Sequence, residues 1–167
     1  MPSLRTSYNL WPVYNRQLIE AIRPLSPNEV RLAPGPERWP LWAVAGHLAC
    51  QRVFWLADFA GVPGKESTPF LDAASNCPGD DDLENVLEAD RLVRALETTF
   101  VLIERCLDSW TIESLSEEIV RNWPNGETWR RERGNVIQRV FAHDLSHIAE
   151  MNETLAAAGR PAVNLWQ

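Results

Sequence analysis

Apolar residues recur at helical spacing in four long stretches of this chain, separated by segments rich in proline, glycine and acidic residues. In the first, residues 5–23, Leu4, Tyr8, Trp11, Leu18 and Ile22 mark one face. Pro12 predicts either a helix start or a kink there, and Pro24 an end. Ser26–Glu29 reads as a capping signature for a short helical turn. The second helix is predicted from about Pro40, a residue suited to a first turn, to Ala60, with Gly61 and Pro63 as its stop. Residues 61–80 read as a long loop. A third helix is expected from near Asp81 to about Asp108, with Leu83, Leu87, Val93, Leu96, Phe100, Ile103 and Leu107 as its stripe.

The last helix, residues 136–159, has the clearest ends. Asn135 with Gln138 three residues on suggests an N-cap, and Gly159 followed by Pro161 a C-terminal stop. Just before it, EIVRNWPNGETWR carries strand formers on both sides of Pro-Asn-Gly, the pattern of a short β-hairpin. The expected architecture is therefore all-α: a four-helix bundle with long connections, one domain over residues 1–167, and a short hairpin before the last helix.

Chemistry enters through the histidines, of which the chain has three. His143 and His147 are one helical turn apart, so both imidazoles share a face. An isolated pair of this kind is a weak signal. His47 sits in the middle of the second apolar helix, so all three fall on inward-looking positions of two helices. Burying three unpartnered imidazoles is costly, and a shared metal ion removes that cost. Three neutral nitrogens leave a coordination position open, as in catalytic rather than closed sites, and all-histidine ligation admits zinc, nickel or iron. Ligating imidazoles usually donate their second N–H to a carboxylate or carbonyl. Glu150 and Asp144 are the candidate partners or general bases, with Asp58 a further acidic neighbour.

Composition narrows the remaining possibilities. A net charge of −7 argues against nucleic-acid binding, and no apolar run is long enough to span a bilayer. The N-terminal residues lack a signal-peptide pattern, which points to the cytoplasm. Cys50, Cys77 and Cys106 form no CxxC and read as reduced thiols, Cys50 as a small buried residue or, less simply, a fourth ligand. Arg121, Arg130, Arg131, Arg133 and Arg139 cluster before the last helix as a solvated patch or as an anchor for a substrate's carboxylates. Of eight tryptophans, Trp39, Trp42 and Trp55 flank the His47 helix, where they could line a pocket or fill the core.

Two segments, ERWPLWAVAGHLACQR and FAHDLSHIAEMNETLAAAG, are similar to the signature helices of the DinB-like (DinB/YfiT) superfamily, and the likeness extends over essentially the whole chain. The resemblance implies a four-helix bundle holding one divalent metal through His47, His143 and His147. It also implies chemistry centred on low-molecular-weight thiols: S-transfer, or isomerisation of a small molecule. One departure is Ile148, which stands where members often carry a second histidine beside the final ligand. Two other readings stay open. One is a hydrolase using a metal-bound hydroxide with Glu150 or Asp144 as base; the other is a non-enzymatic bundle in which the metal, or simply the buried histidines, stabilises a dimer or a stress-response complex. A homodimer is expected in either setting.

Overall fold

The computed structural model describes residues 4–166. Among the described residues, five α-helices and one two-stranded antiparallel sheet make a mostly helical fold. A single turn, α1 (Leu4–Ser7), precedes α2 (Trp11–Ile22); α3 spans Leu41–Arg52, α4 Ala89–Ser109 and α5 Arg133–Ala157. Strands β1 (Glu118–Asn122) and β2 (Thr128–Glu132) pair between α4 and α5, with Val120 opposite Arg130. Helix α3 packs against both α4 and α5, and α2 lies on α4. One apolar core, including Trp11, Leu18, Ile22, Leu48, Leu56, Leu96, Ile103, Val140 and Ile148, runs between them.

The first helical stretch is divided. The chain turns at residues 8–10 and restarts at Trp11, which puts Pro12 in the first turn, where its missing N–H costs nothing. The Ser26–Glu29 signature closes as a reciprocal cap: Ser26 N–H donates to Glu29 Oε2 at 2.8 Å, and Glu29 N–H to Ser26 Oγ at 3.3 Å. Arg160 adds an ion pair to Glu29 at 2.7 Å, tying the end of α5 to this turn. Arg160, then the Ser26 cap, hold the Glu29 carboxyl down to about 2 from an ordinary value of 4.5. A lowered folded-state pKa stabilises the fold above the unfolded-state value, and that contribution fades as pH falls from about 4.5 through about 2. Glu29→Gln is therefore expected to be less stable than the wild type in urea at pH 7, with the difference vanishing near pH 2.

Helix α3 does not stop at Arg52 but widens into π-helical turns over Val53–Phe59. The wider turn brings Phe54, Trp55 and Phe59 all against Trp129 of β2, at ring-centroid distances of 6.2, 6.1 and 6.5 Å. Trp123, just past β1, stacks on Phe54 at 5.4 Å. The hairpin is thus held to the protein by aromatic area. Its loop turns at Gly126, whose φ of +88° favours glycine.

The expected helix from Asp81 begins only at Ala89. Asp82 does accept backbone N–H bonds, from Glu84 at 2.8 Å and Asn85 at 3.0 Å, but the chain then extends to Glu88. Leu83, placed on the helix stripe from sequence, is consequently exposed in the loop. At α5 the correction runs the other way: the helix starts at Arg133, directly out of β2, so Asn135 lies inside it. Its far end behaves as expected. Arg160 N–H donates to Leu155 O at 2.8 Å and Gly159 N–H to Ala156 O at 3.0 Å, with Gly159 at φ +68°.

The three-thiol expectation is corrected. Cys50 and Cys77 form a disulfide, with Cα atoms 5.8 Å apart and a separation of 27 positions in sequence. Closing a loop of that length restricts the unfolded chain by about 3–4 kcal/mol. It ties the irregular segment between α3 and α4 to the middle of α3. Cys106 is a free, buried cysteine on α4, its thiol pushed up to about 12 by burial.

Candidate metal centre

His47 projects from the middle of α3, and His143 and His147 from one face of α5, across the seam where the two helices pack. The rings converge: His143 Nε2 lies 3.2 Å from His47 Nε2 and 3.1 Å from His147 Nε2. Two nitrogens bound to one ion at about 2.0–2.1 Å with a tetrahedral angle stand about 3.3–3.4 Å apart. The spacing is that of ligands around a shared ion. Among the described residues no other group of three His, Cys, Asp or Glu side chains converges in this way.

The outward nitrogens show why the inner ones are available. His47 Nδ1 is 3.2 Å from the carbonyl oxygen of Pro78, an atom that only accepts, so the proton belongs on Nδ1. Asp80 Oδ2 is 3.5 Å from the same nitrogen. His147 Nδ1 faces Glu150 Oε2 at 3.0 Å, and Arg38 holds the other Glu150 oxygen at 3.3 Å. Both rings therefore turn an Nε2 lone pair inward. One N–H on His143 cannot satisfy two such lone pairs in good geometry, and a divalent cation satisfies all three. Burial, then the neighbouring His147 and His47, holds the His143 imidazolium down to about 3, so this ring is neutral at pH 7. His47 is likewise lowered, mainly by burial.

Local packing fixes His47 from the loop side. The Trp39 ring meets it edge-on at 5.1 Å. The same ring presses on Gly79, where an added Cβ would lie 2.6 Å from a ring carbon and φ is +86°. Gly46 lets Pro78 and Leu87 approach α3 so closely that a Cβ there would meet both at 3.0 Å. Of the flagged tryptophans, Trp39 borders the site, while Trp42 is buried in the core and Trp55 serves the aromatic cluster under the hairpin.

The acidic candidates part company. Glu150 sits against His147. Asp144 has a different place from the one expected of a partner or base: it is fully buried beneath the site. Arg52 and Trp11 Nε1 both donate to it at 2.7 Å, so its oxygens are committed to the core. Asp58 pairs with Lys65. The arginine patch is largely taken up as well: Arg130 pairs with Glu118, Arg133 with Glu117, Arg139 covers the Trp55 ring at 4.5 Å and Arg121 lies 5.9 Å over Trp123. Sequence reasoning missed the Pro78 carbonyl and Arg52. The first is a backbone atom with no residue signature. Arg52 did carry a signal, a lone cation five residues past His47 in an otherwise apolar run.

Residues 15–151 match the family model of the DinB superfamily. A DinB-like protein from Bacillus cereus, known from a crystal structure, superposes with a TM-score of 0.68 over 95% of each chain at 14% sequence identity, a likeness of fold. No curated protein matches the chain.

Proposed function

Because this chain belongs to the DinB superfamily, we propose that its four long helices act as a bundle whose purpose is to hold one divalent ion, zinc, nickel or iron, on His47, His143 and His147. The observation that carries the reading is the inward set of three Nε2 atoms, His143 Nε2 lying 3.2 Å from that of His47 and 3.1 Å from that of His147, with the other nitrogen of His47 and of His147 already committed outward. The ion would supply a Lewis-acidic, open coordination position to a small molecule. Glu150 acts through His147, fixing its tautomer and raising its donor strength. Glu150→Gln is accordingly expected to weaken metal affinity about 10–100-fold without unfolding the protein, checked by competition against a chromophoric chelator.

For the reaction, we infer thiol-dependent S-transfer or isomerisation rather than hydrolysis. A hydrolase needs a free base beside the open position. Glu150 is engaged by His147 and Arg38, and Asp144 is locked to Arg52. Thiol chemistry would need no such base, since an ion held by the three histidines would itself favour the thiolate. A small-molecule substrate, a homodimer and a cytoplasmic setting belong to the same proposal. The experiment is incubation of the zinc-loaded protein with a small electrophile, with and without low-molecular-weight thiols. Turnover that depends on thiol is the expected result; equal turnover without thiol favours the hydrolase, and none in either arm the non-enzymatic reading.

A further inference from the structure

We propose that the Cys50–Cys77 disulfide is a redox latch on the metal centre: it positions the carbonyl that orients His47, and its reduction loosens the grip on the ion. The inference rests on the three-histidine reading above and adds a control element to it.

The linkage is short and continuous. Cys50 stands three residues beyond His47 on α3, and Cys77 immediately precedes Pro78, the residue whose carbonyl accepts the His47 Nδ1–H. Residues 77–82 form a compact turn held by its own bonds. Asp81 N–H donates to Cys77 O at 3.0 Å, Cys77 N–H to Asp81 Oδ2 at 2.8 Å and Gly79 N–H to Asp82 O at 2.8 Å. These bonds give the turn its shape but do not say where it sits. Its position comes from the disulfide, the His47–Pro78 hydrogen bond, Asp80 beside His47 Nδ1, the packing of Pro78 on Gly46, Gln51 Nε2 beside Cys77 Sγ, and ring contact between Trp39 and Gly79. The disulfide is the covalent member of that set. The chain around the turn is irregular from Gly61 to Glu88, apart from one 3₁₀ turn at Lys65–Ser67 and an isolated bridge between Pro78 and Asp82. Freed at Cys77, the turn can move as a unit, and both groups facing His47 Nδ1, the Pro78 carbonyl and Asp80, go with it.

A dithiol opens the latch. One of its thiolates attacks a sulfur of the Cys50–Cys77 bond, which breaks to release the other as thiolate and leaves a mixed disulfide. The second thiol of the reductant then displaces the protein sulfur. Two electrons and two protons end on Cys50 and Cys77, and the reductant leaves as its own disulfide. Both cysteines are buried, at 0% and 1% exposure, so attack waits on opening of the segment between α3 and α4. In a reducing compartment such a pair belongs with redox-sensing rather than permanent disulfides.

The test compares oxidised protein, dithiothreitol-reduced protein with the reductant removed anaerobically, and the Cys50→Ser/Cys77→Ser double variant, with Cys106→Ser as control. Each is first shown to be folded by far-UV circular dichroism. Zinc affinity is read by chelator competition. The tautomer of His47 is read in the metal-free protein by ¹⁵N NMR. Reduction and the double variant are expected to weaken zinc binding about 10–100-fold, the cost of losing a ligand's hydrogen-bond partner. They should also convert a single Nδ1–H tautomer of His47 into an averaged one, while Cys106→Ser changes neither. Unchanged affinity in folded, reduced protein overturns the latch. So does tighter binding, which would make a released thiolate a ligand. If no form binds zinc, the three-histidine reading fails, and the His47 tautomer alone decides whether the disulfide positions that ring.

Discussion

Replacing Asp144 by alanine is expected to lower stability by about 3–5 kcal/mol, the cost of stranding a buried charge. The carboxylate is 0% exposed and its partner Arg52 1%. Arg52 Nη2 and Nε donate to Asp144 at 2.7 and 3.0 Å, and Trp11 Nε1 donates at 2.7 Å. Arg52 Nη1 reaches the Leu96 carbonyl at 3.3 Å, and the guanidinium lies 5.4 Å over the Phe100 ring. One polar knot therefore joins α2, α3, α4 and α5. Removing the carboxylate leaves Arg52 Nε and Nη2 and the Trp11 indole N–H without their acceptor in the core. For a chain of this length the loss corresponds to a fall in Tm of about 6–20 °C. Urea unfolding at pH 7 checks it. A paired replacement, Arg52→Met with Asp144→Leu, should recover much of the loss, because the pair costs desolvation as well as giving attraction. A loss below about 1 kcal/mol for Asp144→Ala would mean that the knot is open to water.

The second large effect falls on the metal. His147→Ala is expected to abolish stoichiometric binding of zinc while leaving the helical circular dichroism intact. Losing one of three ligands removes more affinity than losing an outer hydrogen-bond partner, which costs about 10–100-fold. The fold survives because its core runs through Trp11, Leu18, Leu48, Leu96 and Ile148 and does not depend on the ion, unlike a zinc finger. A thermal readout follows by mass action: at a free ion concentration 100 times Kd the wild type gains about 2.7 kcal/mol, and the variant gains nothing. Calorimetry with and without zinc measures both.

The two observations above differ in how far sequence could reach them. His143 and His147 were legible because a helix turns i and i+4 to the same side, and His47 because a polar residue in a run of Ala, Val and Leu needs a reason. The hairpin was legible in Trp123-Pro124-Asn125-Gly126, and the end of α5 in Gly159, since both ask for backbone that few residues adopt. What escaped was long-range. The Arg52–Asp144 pair spans 92 residues and the disulfide 27, and neither separation carries a local pattern. Asp144 looked like a partner for the ligands because helix spacing puts it next to His143; that spacing also aims it inward at Arg52. The late start of α4 escaped for a related reason. Asp82 caps two backbone N–H groups of a turn, and the same side-chain chemistry serves a turn and a helix start.

The measurement that bears most directly on the central claim is X-ray absorption at the metal edge, on protein prepared without a histidine tag and loaded with one equivalent of zinc. The expected result is one ion per chain, with three imidazole nitrogens at about 2.0–2.1 Å and a light atom completing the shell, and loss of the stoichiometric ion in each of His47→Ala and His143→Ala. A wild-type protein that retains no stoichiometric ion, or an ion whose shell is unchanged in those two variants, would contradict it.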